Sequence, residues 1–192
     1  MVSGMDIDIP PECKQVIDRV LFTPDQIQKR VAELGAQISK DYAGKPVLLI
    51  GVLKGVIFFM ADLLRAINIP VEVDFMSVSS YSSESREKGI VRLIKDLEVP
   101  IMDRHVVFVK DVIDTGLTIN YLLRTLRTRN PASLEVCVLF NKDKRRLIDL
   151  PLRYVGFDIR DYYVVGYGLD YREKYRNMPF VGLIKADVML NG

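Results

Sequence analysis

Cysteine is scarce in this chain: two in 192 residues, Cys13 and Cys137. That excludes a disulfide framework and points to reducing, cytoplasmic surroundings, the more so because Cys137 sits in an apolar, strand-like run. Excess charge is also missing. The 27 Lys and Arg nearly balance 25 Asp and Glu, for a net charge of +2, which is too small to argue for nucleic acid. No apolar run approaches the length of a membrane span. Met1 to Pro11 is acidic and polar, so no secretory leader is expected, and Met5 is a second candidate start. Internal repeats, low-complexity tracts and linkers are absent, so one domain over residues 1–192 is expected. Its 49% apolar content is enough for a full core.

What is present alternates between strand and helix patterns. Thr23-Pro24-Asp25-Gln26 starts a helix with a Thr cap, Pro in the first turn and Gln at the capping-box position. Ile27, Val31, Leu34 and Ile38 mark its buried face, and Gly44-Lys45-Pro46 ends it. Val47 to Val52 reads as a central parallel strand covered on both faces. Ile57 to Leu64 follows as a buried helix and Val71 to Val78 as a strand. Ser79 to Gly89, rich in serine and charge, reads as a mobile loop. Ile90 to Ile94 and Leu134 to Phe140 are further strands. This is the pattern of a doubly wound α/β sheet, with ligands at the carboxyl ends of its strands.

The densest chemistry follows the apolar run Val106 to Val109. There, Lys110-Asp111-Val112-Ile113-Asp114-Thr115-Gly116-Leu117-Thr118 leads into a helix to Thr128, with apolar positions at Ile119, Leu122, Leu123 and Leu126. A helix start offers unpaired N–H groups and partial positive charge. Thr115 and Thr118 add hydroxyls and Gly116 permits close approach, so the turn is built to hold a phosphate. The two aspartates suit sugar hydroxyls, a divalent cation or a proton. The plainer alternative is that Asp114 or Thr115 only caps the helix. No Gly-Lys-Ser/Thr ends the turn and Gly-x-Gly-x-x-Gly is missing, so it is neither a Walker loop nor a dinucleotide fingerprint.

At these residues the chain resembles the type I phosphoribosyltransferases, whose signature is an apolar strand, two acidic residues, two apolar residues, then Asp-Thr-Gly and a Thr. Leu53-Lys54-Gly55, Ser80-Tyr81, Lys142 and the run Tyr163 to Tyr171 narrow the likeness to the 6-oxopurine (hypoxanthine-guanine) branch. The resemblance spans Thr23 to Lys185. It implies a mainly parallel sheet flanked by helices, with a small hood formed by the terminal segments. It also implies transfer of ribose 5-phosphate from phosphoribosyl pyrophosphate to N9 of hypoxanthine or guanine, with Mg²⁺ as cofactor.

The residue roles implied are specific. Asp114 is the general base toward purine N7, and Lys110, Asp111 and Asp114 to Thr118 bind the phosphoribosyl group. Leu53, Lys54, Gly55 and Arg176 hold pyrophosphate, with a cis bond between Leu53 and Lys54 and an arginine fork suited to the anion. Lys142, a donor only, selects a 6-oxo group over an amino group. Tyr163 stacks on the base, Val164 meets it through its backbone, and Asp170 with Asp111 serves Mg²⁺. Ser80 and Tyr81 belong to a loop that closes over the site. Lys144 to Arg146 read as a solvated face, Tyr167 as core packing and His105, at the far end of its strand, as structural. A homodimer or homotetramer is implied. Lys110, expected to bend toward phosphate or solvent and leave Asp111 alone to accept from the ribose hydroxyls, departs from the family pattern, which has an acid there. That keeps two alternatives open: a nucleotide-sensing regulator on the same fold, and an inactive paralogue.

Overall fold

The computed structural model describes residues 8–80 and 91–190. Its strands are β1 (Ile17–Phe22), β2 (Val47–Leu53), β3 (Val71–Ser80), β4 (Val91–Lys95), β5 (His105–Ile113), β6 (Ser133–Asn141), β7 (Leu152–Asp158), β8 (Val164–Val165) and β9 (Val181–Ile184). The helices are α1 (Pro24–Asp41), α2 (Ile57–Ala66), α3 (Leu117–Arg127) and α4 (Ala186–Leu190). Six strands form the main sheet in the order β4-β3-β2-β5-β6-β7, parallel except for the antiparallel edge β4. β1, β9 and β8 form a separate antiparallel sheet, the expected hood made from both ends of the chain.

The central strands alternate between two cores. Val107 and Val109 of β5 join Leu49, Phe59 and Leu63 under α1 and α2, while Val106 and Phe108 join Ile50, Leu122 and Leu126 under α3. A side-chain period of two, buried on both faces, explains why these strands read as unbroken apolar runs. α1 carries the expected reciprocal cap: Gln26 N–H donates to Thr23 Oγ1 at 3.2 Å and Thr23 N–H to Gln26 Oε1 at 2.9 Å, a device worth about 1 kcal/mol. From β2 the chain winds one way to β3, and from β5 the other way to β6. The carboxyl ends of β2 and β5 therefore flank the switch point where such sheets bind ligands.

Two of these expectations need correction. α2 is not buried throughout, because its first turn leaves Ile57 and Phe58 exposed while Phe59, Met60 and Leu63 pack inward. β3 does not stop at Val78; Ser79 and Ser80 continue it, paired with Arg92 and Val91 of β4. The loop reading for Tyr81 to Gly89, with the role given to Tyr81, lies outside the described residues, as does Ile90. α1 ends at Asp41, before Gly44. Both cysteines are free and buried, and burial pushes the Cys137 thiol up. Among the described residues no helix is long and apolar enough to cross a membrane.

Candidate active site

Three backbone segments meet at the carboxyl ends of β2 and β5. Gly116 holds a left-handed conformation (φ 84°) and is the N-cap of α3, without any side-chain cap. Leu117 N–H lies 3.5 Å from Thr115 Oγ1, too far for a good hydrogen bond, and Asp114 does not cap the helix. The plain capping reading is therefore set aside for Asp114, and Thr115 caps only through this long contact. Asp111 is buried, with Oδ1 accepting from Val112 N–H at 2.8 Å and from the Lys110 ammonium. The loop after β2, with its cis Leu53–Lys54 bond, lies directly on that carboxylate. A Cβ on Gly55 would sit 1.8 Å from Asp111 Oδ2, and one on Gly168 2.1 Å from Gly55 O. Only glycines allow this stack.

β6 delivers Lys142, which is buried although charged; its N–H donates to Ile113 O at 3.0 Å, fixing it beside the end of β5. Its ammonium stands 3.8 Å from Asp161 Oδ1. The basic run behind it is not simply solvated, contrary to expectation. Lys144 is exposed, but Arg145 pairs with Asp114 and Asp161, and Arg146 donates to Asn141 Oδ1.

The hood supplies the third wall. β8 pairs Val164 with Leu183 of β9 and leaves the Tyr163 ring half exposed, edge-on to Tyr171 at 6.0 Å. Gly166, Tyr167 and Gly168 then turn the chain with three successive positive φ values. Tyr167 does more than pack: its hydroxyl donates to Asp62 Oδ2 at 2.6 Å. Burial pushes the Tyr167 phenol up. Asp62 is held below the ordinary carboxylate range because its hydrogen bonds from Tyr167, Gln28 and Arg65 outweigh desolvation by burial.

Asp170 accepts from Glu173 N–H at 3.0 Å and pairs with Arg176 Nη2 at 2.8 Å, while Arg176 Nη1 donates to Gly168 O at 2.8 Å. Glu173 bridges Lys54 Nζ (2.9 Å) and Arg176 Nη2 (3.1 Å), which hold its carboxyl below the usual range. Sequence reasoning missed Glu173 and Arg145, each hidden in a run of ordinary surface charge.

A cavity of about 230 Å³ gathers Asp111, Asp114, Lys142, Tyr163, Val164 and Asp170, closed by Val112 and Leu169. It is smaller than the roughly 300–1,000 Å³ of pockets for drug-sized ligands, so it suits a small ring system. Leu53, Lys54, Gly55, the Thr115–Thr118 turn and Arg176 are not in its lining. His105 stands at the opposite end of β5, its Nδ1 2.8 Å from Ser133 Oγ, a structural contact. Among the described residues no group of three His, Cys, Asp or Glu side chains could hold a metal unaided.

A family model described as the phosphoribosyl transferase domain matches residues 23–172. The chain belongs to the phosphoribosyltransferase family. Among relatives of this phosphoribosyltransferase, the hypoxanthine-guanine phosphoribosyltransferase of Mycobacterium avium is 48% identical over 90% of this chain and 88% of its own length. That of Bacillus subtilis is 43% identical over 91% and 97%. A solved hypoxanthine phosphoribosyltransferase from Staphylococcus aureus superposes with a TM-score of 0.89 at 42% identity, covering 94% of this chain and 98% of that one.

Proposed function

We propose that this phosphoribosyltransferase is a purine salvage enzyme: it transfers the 5-phosphoribosyl group of phosphoribosyl pyrophosphate to N9 of hypoxanthine or guanine, releasing pyrophosphate. The observation that carries the reading is one small cavity holding a buried ammonium, an aromatic face and a carboxylate, those of Lys142, Tyr163 and Asp114. The ammonium donates to a 6-oxo group and offers nothing to a 6-amino group. Tyr163 covers the ring, and Asp114 accepts the N7 proton as N9 attacks C1′. The Thr115–Thr118 turn at the start of α3 takes the 5-phosphate, and the Lys54–Gly55 loop and Arg176 take the leaving pyrophosphate.

Mg²⁺ binds proteins through one or two carboxylates and completes its shell with water and substrate phosphates. Asp111 and Asp170, two hard oxygen donors at one cavity, fit that habit better than a closed metal cage would. When bound, the ion would neutralise charge developing on pyrophosphate. Lys110 does not bend toward phosphate or solvent as expected; it neutralises Asp111, leaving that carboxylate a weaker partner for the ion. A single domain, a cytoplasmic location and a homodimer or homotetramer complete the proposal. The regulator and inactive-paralogue readings draw no support from the relatives, which carry enzyme names.

One assay tests this: radiolabelled hypoxanthine, guanine, xanthine and adenine, each with phosphoribosyl pyrophosphate and Mg²⁺. Labelled nucleotide is expected from the 6-oxopurines and not from adenine, and no product from any oxopurine would sink the reading. Asp114→Ala should lower turnover by roughly 10²–10⁴-fold while phosphoribosyl pyrophosphate still binds.

A further inference from the structure

Asp114 presents an asymmetric carboxylate. Its side chain is 44% exposed, yet Oδ1 is buried and accepts no hydrogen bond. Arg145 Nε lies 3.2 Å from that oxygen, close enough for an ion pair though not aligned as a hydrogen bond. Exposure is thereby left to Oδ2. The guanidinium is held from its other side, where Nη1 donates to Asp161 Oδ1 at 3.2 Å, the same oxygen that stands 3.8 Å from Lys142 Nζ. Its backbone is fixed as well: Arg145 N–H donates to Lys142 O at 3.1 Å, and Leu147 N–H reaches across to Thr115 O at 3.0 Å. The short turn carrying Arg145 is thus bonded to the loop carrying Asp114.

We infer that Arg145 is a positioning residue for the transfer: it covers Asp114 Oδ1 and so makes Oδ2 the acceptor of the purine N7 proton. The inference rests on the proposed reaction. In that step the N7–H bond breaks and its electron pair stays in the ring. N9 forms the bond to C1′, the C1′–O bond breaks with its pair on pyrophosphate, and the proton ends on Asp114 Oδ2. A carboxylate free to rotate offers either oxygen, whereas one pinned at Oδ1 keeps Oδ2 aimed at the base. Asp161 gives this arrangement a second use. It bonds Arg145 and stands 3.8 Å from Lys142, so the donor that reads the 6-oxo group and the acceptor that takes the N7 proton share one reference point. A planar fork holds two carboxylates in a fixed relative geometry, which an ammonium on a flexible stem does not impose.

The test is steady-state kinetics of the full-length enzyme carrying Arg145→Ala, Arg145→Lys or Lys144→Ala, the last an exposed neighbour outside the site. Misplacing a reacting group by about 1 Å costs on the order of 10²-fold. Arg145→Ala is therefore expected to lose roughly 10–100-fold in kcat, with the KM for phosphoribosyl pyrophosphate nearly unchanged. Millimolar methylguanidine should restore several-fold of the loss. Arg145→Lys should recover only partly, and Lys144→Ala should match the parent enzyme. Thermal melts separate misfolding from misplacement, because a merely structural role would lower the melting temperature and would not respond to methylguanidine. Parental kcat in Arg145→Ala, or a kcat loss at parental melting temperature that methylguanidine does not relieve, overturns the inference alone. A parent enzyme that makes no nucleotide from any oxopurine removes the proposed function, and this inference with it.

Discussion

At the scale of single residues, the site turns on where a few charges are spent. Lys142 is a buried ammonium whose nearest carboxylate, on Asp161, is 3.8 Å away, so its donors remain available to a ligand. Lys142→Ala should weaken hypoxanthine binding by about 1.5–3 kcal/mol, the worth of a charged hydrogen bond, and raise the adenine-to-hypoxanthine ratio in competition. An unchanged ratio returns Lys142 to the surface charge run. Lys110 spends its ammonium on Asp111. Lys110→Glu should free that carboxylate, lower the Mg²⁺ concentration giving half-saturation and raise kcat/KM. A Mg²⁺ titration with no shift means that the lysine is accommodated. Asp111, Asp114, Lys142, Tyr163 and Asp170 were legible in the sequence because each stands at a strand end or in a distinctive run. Arg145 and Glu173 were not, since a charge run looks the same whether it faces water or another loop. The Lys110–Asp111 pair was hidden by strand alternation, which sends the Cβ atoms of neighbours to opposite faces; here the long lysine stem reaches back to the adjacent carboxylate within β5.

At the scale of elements, close backbone approach is what assembles the cavity. Gly168 has a φ of 95° and faces Gly55 O, whereas Gly44 has a φ of 74° with nothing within 4 Å of its Cβ position. Alanine at either site meets the strain of a left-handed backbone, on the order of 1–3 kcal/mol, but only Gly168→Ala also forces two loops apart. Calorimetry should show a larger fall in melting temperature for Gly168→Ala than for Gly44→Ala, with weaker base binding in the former alone. Equal falls would leave backbone conformation as the sole cause. The central strands and α1 could be read directly, from continuous burial and a reciprocal cap. β1, β7 and β9 could not. β1 and β7 are broken by Asp18, Arg19, Arg153 and Gly156, and β9 is only four residues long. Their partners lie far away in sequence, as in the pairing of β1 with β9.

At the scale of the whole molecule, buried and paired carboxylates set the response to acid. Asp74 is buried, which by itself would raise its pKa, but hydrogen bonds from Glu98, Phe75 and Val99 N–H outweigh that and hold it low. Hydrogen bonds from Tyr154 and Arg153 lower Asp41, and those from Arg129 lower Asp96. A carboxylate depressed in the folded state contributes stability above its unfolded pKa, about 3.9 for Asp, and loses it as pH falls through the folded value. Stability should therefore be level near neutrality and fall once the pH drops below about 4. Asp74→Asn should lower it at neutral pH and flatten the acid decline. A decline as steep as the parent's would mean that Asp74 takes no part in it. The Tyr167–Asp62 bond carries a different consequence at this scale. Asp62 belongs to the helix that springs from the Lys54–Gly55 loop, and Tyr167 lies between Tyr163, the proposed cover of the base, and Asp170. One phenol–carboxylate contact thus ties the helix after the proposed pyrophosphate loop to the segment that carries the proposed base site, as a lever joins its ends. On the proposed reading, the substrate that docks first is expected to set the spacing the second one meets.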